Sequence, residues 1–159
     1  MAMKGIGVDL WTRVNMEPSC QPFKSIIQLE WEKGIPRNPV INAGVLLVAD
    51  VLTSHFSASK LAFLSFMRKL AHDDTVFIDN HVYQSELAHG NRNAALAYLM
   101  KSFGNIQAEI PDLLSHYFTQ CSVAMSCEQL ATSLLFLANK GVDPLTNKVI
   151  CSPRDAHRV

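Results

Sequence analysis

A chain of 159 residues with 14 basic and 14 acidic side chains has no formal net charge, which excludes the basic surplus that nucleic-acid binding needs. Its 48% hydrophobic content suffices for one core that buries about two thirds of the unfolded surface. No apolar run approaches the ~18 residues of a membrane-spanning helix, so neither a nucleic acid nor a membrane is an expected partner.

The four cysteines, Cys20, Cys121, Cys127 and Cys151, fall in no CxxC pair and no zinc spacing, and read as reduced, mostly buried thiols of a cytoplasmic protein. Met1 to Ile6 reads as the last turn of a helix ending at Gly5 or Gly7. Its apolar part is too short for a secretory signal. Asp9 to Val14 forms a short amphipathic helix, and Asn15 to Phe23, with two prolines, is loop. Ser25 to Trp31 fits a strand or a helical turn equally by periodicity.

Pro36 and Pro39 enforce an extended approach, after which a helix runs from about Pro39 or Val40 to Leu52 and breaks at Thr53 to Ser57. Ser57 or Ser59 then caps a helix whose residues Leu61, Phe63, Leu64, Phe66, Met67 and Leu70 make a wide apolar face. His72 to Thr75 is a turn. Asp79 or Asn80 caps a helix through His89, Gly90 interrupts it, and Asn93 to Phe103 is the next, with Gly104 at its end. Pro111 opens a helix through Phe118. Ser126 and Gln129 form a capping box ahead of Leu130 to Leu137, whose apolarity predicts the most buried helix. Gly141 closes it, Lys148 to Ile150 is extended, and Ser152 begins a last helix. Strands do not alternate with helices and no repeat of ~20–50 residues is visible, so residues 1–159 are expected to form a single, mainly α domain.

The stretch Gly34 to Gly44 is the point around which the chain is organised. Asn42 is the only strongly hydrogen-bonding side chain between Val40 and Val48, and an unpaired amide there costs on the order of 1–3 kcal/mol. It bonds either nearby backbone or something else. Glu86 is a second candidate, although a solvated helix face is its plainer reading. Asn93 lies seven residues on, two helical turns along one face. Tyr117 stands in an apolar surround where its hydroxyl wants a partner, unless its tip reaches water.

Ser57-Ala58-Ser59-Lys60 fits a Ser-x-x-Lys pattern, which puts a lysine one turn from a serine. The plainer account is a helix cap and a solvated lysine. The six histidines make no HxxxH or HExxH pair, so neither a metal nor another cofactor is expected.

Asn38-Pro39-Val40-Ile41-Asn42-Ala43-Gly44 resembles the Asn-Pro-x-x-Asn-Ala-Gly signature of the glutaminases that share the serine β-lactamase-like fold. Glu17-Pro18-Ser19, Pro22-Phe23 and Gln28-Leu29-Glu30 precede it as in that family, and Ser85-Glu86 and Arg92-Asn93-Ala94 follow at family spacing. Cys20 stands where the family pattern has Gly. The resemblance implies the helical subdomain of a β-lactamase/transpeptidase-like fold, lacking most of the sheet, and a central segment of the enzyme.

It also implies L-glutamine as substrate, a homo-oligomer, and Asn42, Glu86, Asn93 and Tyr117 as substrate-binding residues. Physical chemistry agrees: an α-ammonium needs a fixed carboxylate, and an α-carboxylate needs amide and hydroxyl donors. In such enzymes a lysine-activated serine forms a γ-glutamyl acyl-enzyme that water hydrolyses to L-glutamate and ammonia. That Ser-x-x-Lys precedes the Asn-Ala-Gly segment, whereas Ser19 and Ser25 are followed three positions on by Pro22 and Gln28. The family's later Lys-Ser-Gly is absent as well. No catalytic residue is therefore expected in this chain, which alone should be inactive and should self-associate through uncovered apolar surface. The competing readings are a stand-alone helical binding module without catalysis and, more remotely, a penicillin-recognising enzyme using Ser57 and Lys60.

Overall fold

Apolar periodicity becomes helix almost throughout the computed structural model, which describes residues 8–20, 22, 25–56 and 58–158. The helices are α1 (Val8–Arg13), α2 (Ile26–Trp31), α3 (Asn42–His55), α4 (Ser59–Ala71), α5 (Asn80–His89), α6 (Asn91–Ser102), α7 (Ile110–Cys121), α8 (Cys127–Ala138) and α9 (Pro153–Arg158). Two short strands, β1 (Phe77–Ile78) and β2 (Val123–Ala124), pair antiparallel with Phe77 opposite Ala124. The expected helical turn at Met1 to Ile6 and the side chain of Ser57 lie outside the described residues.

The ambiguous segment from Ser25 is helical. Helix α3 starts later than its sequence suggests because Asn38 intervenes: its Oδ1 accepts from the backbone N–H of Val40 and Ile41, both at 3.1 Å. This side-chain turn delays the first helical residue to Asn42. The helix also runs past the expected break at Thr53, reaching His55. Ser59 does not cap α4; Ala58 occupies that position without a side-chain hydrogen bond. Leu61, assigned to the apolar face of α4, is exposed.

Helix α3 is the buried axis of the fold. Leu46, Leu47, Ala49 and Val51 are inaccessible to solvent, and α1, α4, α6 and α7 pack around it. A helix apolar on nearly every side must be enclosed, and this one is. Its one acid, Asp50, is 0% exposed and accepts from Arg13 Nη2 (2.5 Å) and from the backbone N–H of Gln107 (3.0 Å) and Ala108 (2.7 Å). Three separate donors from two segments thus converge on one carboxylate and fix α1 and the 105–108 loop to α3.

Helix α8 departs furthest from expectation. Its capping box forms as predicted, yet Ser133 is its only buried residue, while Leu130 and Leu134 are 48% exposed and Leu135 39%. The cysteines differ too: Cys20, Cys121 and Cys127 are exposed and Cys151 alone is buried, none of the four in a disulfide. Cys20 adopts φ +53°, the left-handed region where a non-glycine side chain costs about 1–2 kcal/mol.

Candidate functional site

The Gly34 to Gly44 stretch aims Asn42. Asn38 Nδ2 donates to the Glu17 carbonyl (2.8 Å), tying the turn to the preceding loop. Gly44 then lets that turn lie directly on the helix: a Cβ there would stand 2.0 Å from the Asn38 carbonyl oxygen. Asn42 is thereby the first residue of α3, its side chain at a helix N-terminus facing α6 and α7.

Asn42 Nδ2 donates to Asn93 Oδ1 (3.1 Å) on α6 and to Tyr117 Oη (3.4 Å) on α7. The amide is therefore bonded to side chains 51 and 75 positions away in sequence. Asn93 and Tyr117 are each 6% exposed, so both side chains are almost wholly buried. Burial holds the Tyr117 hydroxyl well above its ordinary pKa, the neighbouring Cys121 and the negative charge of Glu86 push it further up, and the Asn42 hydrogen bond pulls it down. A phenol in that state stays a neutral donor at any physiological pH.

Glu86, half-buried on α5, completes the group. Its carboxylate has neither a hydrogen bond nor a counter-ion among the described residues, while its charge acts on Tyr117. The structure joins three of the sequence-predicted residues, Asn42, Asn93 and Tyr117, by hydrogen bonds from three helices, and sets Glu86 on a fourth, near enough for its charge to act on Tyr117. Gly90 makes the approach possible, since it separates α5 from α6 and a Cβ there would stand 2.3 Å from the Phe118 ring.

Chemically the cluster is a set of recognition groups. It offers one carboxylate unpaired among the described residues, amides and a neutral phenol, the complement of an amino-acid zwitterion. Lys60 is occupied elsewhere: its Nζ donates to Ser115 Oγ (2.6 Å). His116, next to Tyr117 in sequence, packs edge-on with Phe63, their ring centroids 6.2 Å apart. Among the described residues no three His, Cys, Asp or Glu side chains gather to hold a metal.

Sequence reasoning missed Asp50, Tyr83, Ser115 and Cys121. A lone acid in the apolar run Val45 to Leu52 was the available signal for Asp50. For Cys121 it was the one-turn spacing from Tyr117.

Residues 1–159 match the family model described as Glutaminase. A glutaminase of Aliivibrio salmonicida is 50% identical over 151 residues, covering 95% of this chain and 49% of the relative. One of Vibrio parahaemolyticus is 50% identical over 145 residues, with 91% and 47% covered. Among solved structures, a probable glutaminase of Bacillus subtilis superposes with a TM-score of 0.90 at 33% identity, covering 98% of this chain and 51% of that one. Mglu in its glutamate form gives 0.87 at 28% identity, with 99% of this chain and 36% of that one covered. The chain belongs to the glutaminase family, with the mainly helical part of its β-lactamase-like fold, and spans about half the length of the curated relatives it matches.

Proposed function

We propose that this chain supplies the amino-acid-recognising half of a glutaminase site and binds L-glutamine. Glu86 holds the α-ammonium, while Asn42, Asn93 and Tyr117 turn toward the α-carboxylate. The observation that carries this reading is the hydrogen-bonded Asn42, Asn93 and Tyr117 cluster, with the charge of a carboxylate unpaired among the described residues reaching Tyr117. A neighbour solved in its glutamate form supports a ligand of this class.

The serine that attacks the side-chain amide is not in this chain, so hydrolysis to L-glutamate and ammonia requires the remaining half of the enzyme. The chain's place at the centre of the whole enzyme, a cytoplasmic location and a homo-oligomeric state belong to the same reading. Four cysteines, none of them in a disulfide, support a reducing compartment. The bare Leu130 and Leu134 on α8 support cover by the half of a glutaminase that this chain does not span.

Calorimetry with L-glutamine and an ammonia-release assay, on this chain and on one extended to the length of its relatives, test the proposal. The expected result is binding by both and turnover only by the longer. Turnover by the 159-residue chain would place the nucleophile within it and overturn the division of labour.

A further inference from the structure

Of the four helices that meet at the site, α5 is the least anchored. None of its residues is buried, and only Tyr83 and Glu86 are half-buried while its other side chains face solvent. Three residues apart, the two share one face, and α5 packs on α7.

The Glu86 carboxylate makes no hydrogen bond among the described residues, so its place depends on what holds the helix beneath it. The ends of α5 are fixed: the Asp79 N–H donates to the Ser122 carbonyl (2.8 Å) and Gly90 lies against Phe118. Between them stands Tyr83, whose ring packs on the core and whose Oη lies 2.8 Å from Ser115 Oγ. Ser115 is itself clamped by the Lys60 ammonium and sits two residues before Tyr117 on the same helix. A Tyr83 to Ser115 bond therefore sets the register of α5 on α7 that places the Glu86 charge opposite Tyr117.

We propose that Tyr83, held by Ser115, is a positioning residue that fixes the Glu86 carboxylate for the substrate's α-ammonium. This rests on the reading of Glu86 given under Proposed function. Groups held by supporting hydrogen bonds bind better than groups left to find their geometry on binding. Because Tyr83 acts through Glu86 alone, its loss should be felt only by ligands that carry the ammonium.

The test is calorimetric titration of the chain with L-glutamine and with glutaric acid monoamide, which keeps the carboxylate and the amide but lacks the ammonium. Tyr83→Phe should weaken L-glutamine binding about five- to tenfold, the worth of one hydrogen bond, and leave the monoamide within about twofold. Ser115→Ala should reproduce that pattern from the other side, and Ser115→Thr, which keeps the hydroxyl, should restore wild-type discrimination. Equal losses for both ligands, or no loss for either, would overturn the positioning role. If the unsubstituted chain binds neither ligand, or binds both equally, the assignment of Glu86 falls first, before any variant is made.

Discussion

Helices α3 and α5 both carry a residue of the proposed glutamine site, yet they are held in opposite ways. Helix α3 lies in the core with eight of its fourteen residues buried, and Asn42 is at its first turn. Helix α5 buries none and carries Glu86 on a half-exposed face. The donors for a carboxylate are thus built into the rigid centre, while the acceptor for an ammonium rides on a surface element. That difference teaches where tolerance lies: damage to α3 should cost the fold, and damage to α5 should cost the ligand.

The largest effect is expected at Asp50. Asp50→Ala leaves the half-buried Arg13 and two backbone N–H groups without their acceptor, a loss on the order of 3–5 kcal/mol. Urea denaturation followed by circular dichroism should show the midpoint fall steeply. A variant as stable as the parent would mean that α3 is not the anchor described here.

Next comes the seam between α4 and α7, which supports both regions. His116 is 1% exposed with an unpartnered Nδ1, and burial, helped by the Lys60 charge, lowers its pKa from 6.5 to about 4. The folded state keeps the ring neutral, so the unfolded state binds more protons between those values. Stability is fully present above about pH 6.5 and drains as pH falls toward 4, by at most about 3 kcal/mol. His116→Leu should flatten that part of the profile in melts taken from pH 7 to 4, and an unchanged slope would remove His116 as its cause.

Glu86→Gln should separate binding from folding. It removes the charge proposed to meet the ammonium, for an expected loss of about ten- to a hundredfold in L-glutamine affinity. Because the Glu86 carboxylate has no hydrogen-bond or ion-pair partner among the described residues, unfolding free energy should move by no more than about 0.5 kcal/mol. A large stability change with intact binding would reverse the comparison.

How far this was legible in the sequence follows from the reach of each signal. Local chemistry was readable: Pro111 at the start of α7, the Ser126 and Gln129 capping box, Gly90 between α5 and α6, and the Asp79 cap all stand where residue type put them. The onset of α3 was not, because the Asn38 turn competes with the helix through a side chain that propensity does not weigh. Burial of α8 was misjudged for a different reason. Apolarity predicts burial only where a surface is at hand to cover it, and Leu130 and Leu134 are 48% exposed among the described residues, in a chain that spans about half of its relatives. The four site residues were named from spacing and resemblance, but spacing alone could not show that Asn42 bonds Asn93 and Tyr117 directly. The supporting Tyr83 and Ser115 left no trace in either pattern.

The smallest expected effect probes α5 at its start. Asp79 Oδ1 accepts from the N–H of His81 (2.8 Å) and Val82 (3.2 Å), and Asp79→Ala should cost about 1 kcal/mol. What distinguishes the two helices is where that loss appears. If α5 opens on its own, amide exchange should quicken in residues 82–89 while α3 continues to exchange only through global unfolding. Loss of protection in α3 by the same amount would mean that the two helices unfold as one unit. Glu86 would then be as firmly held as Asn42, and the weak anchoring of α5 would have no bearing on how the ammonium is bound.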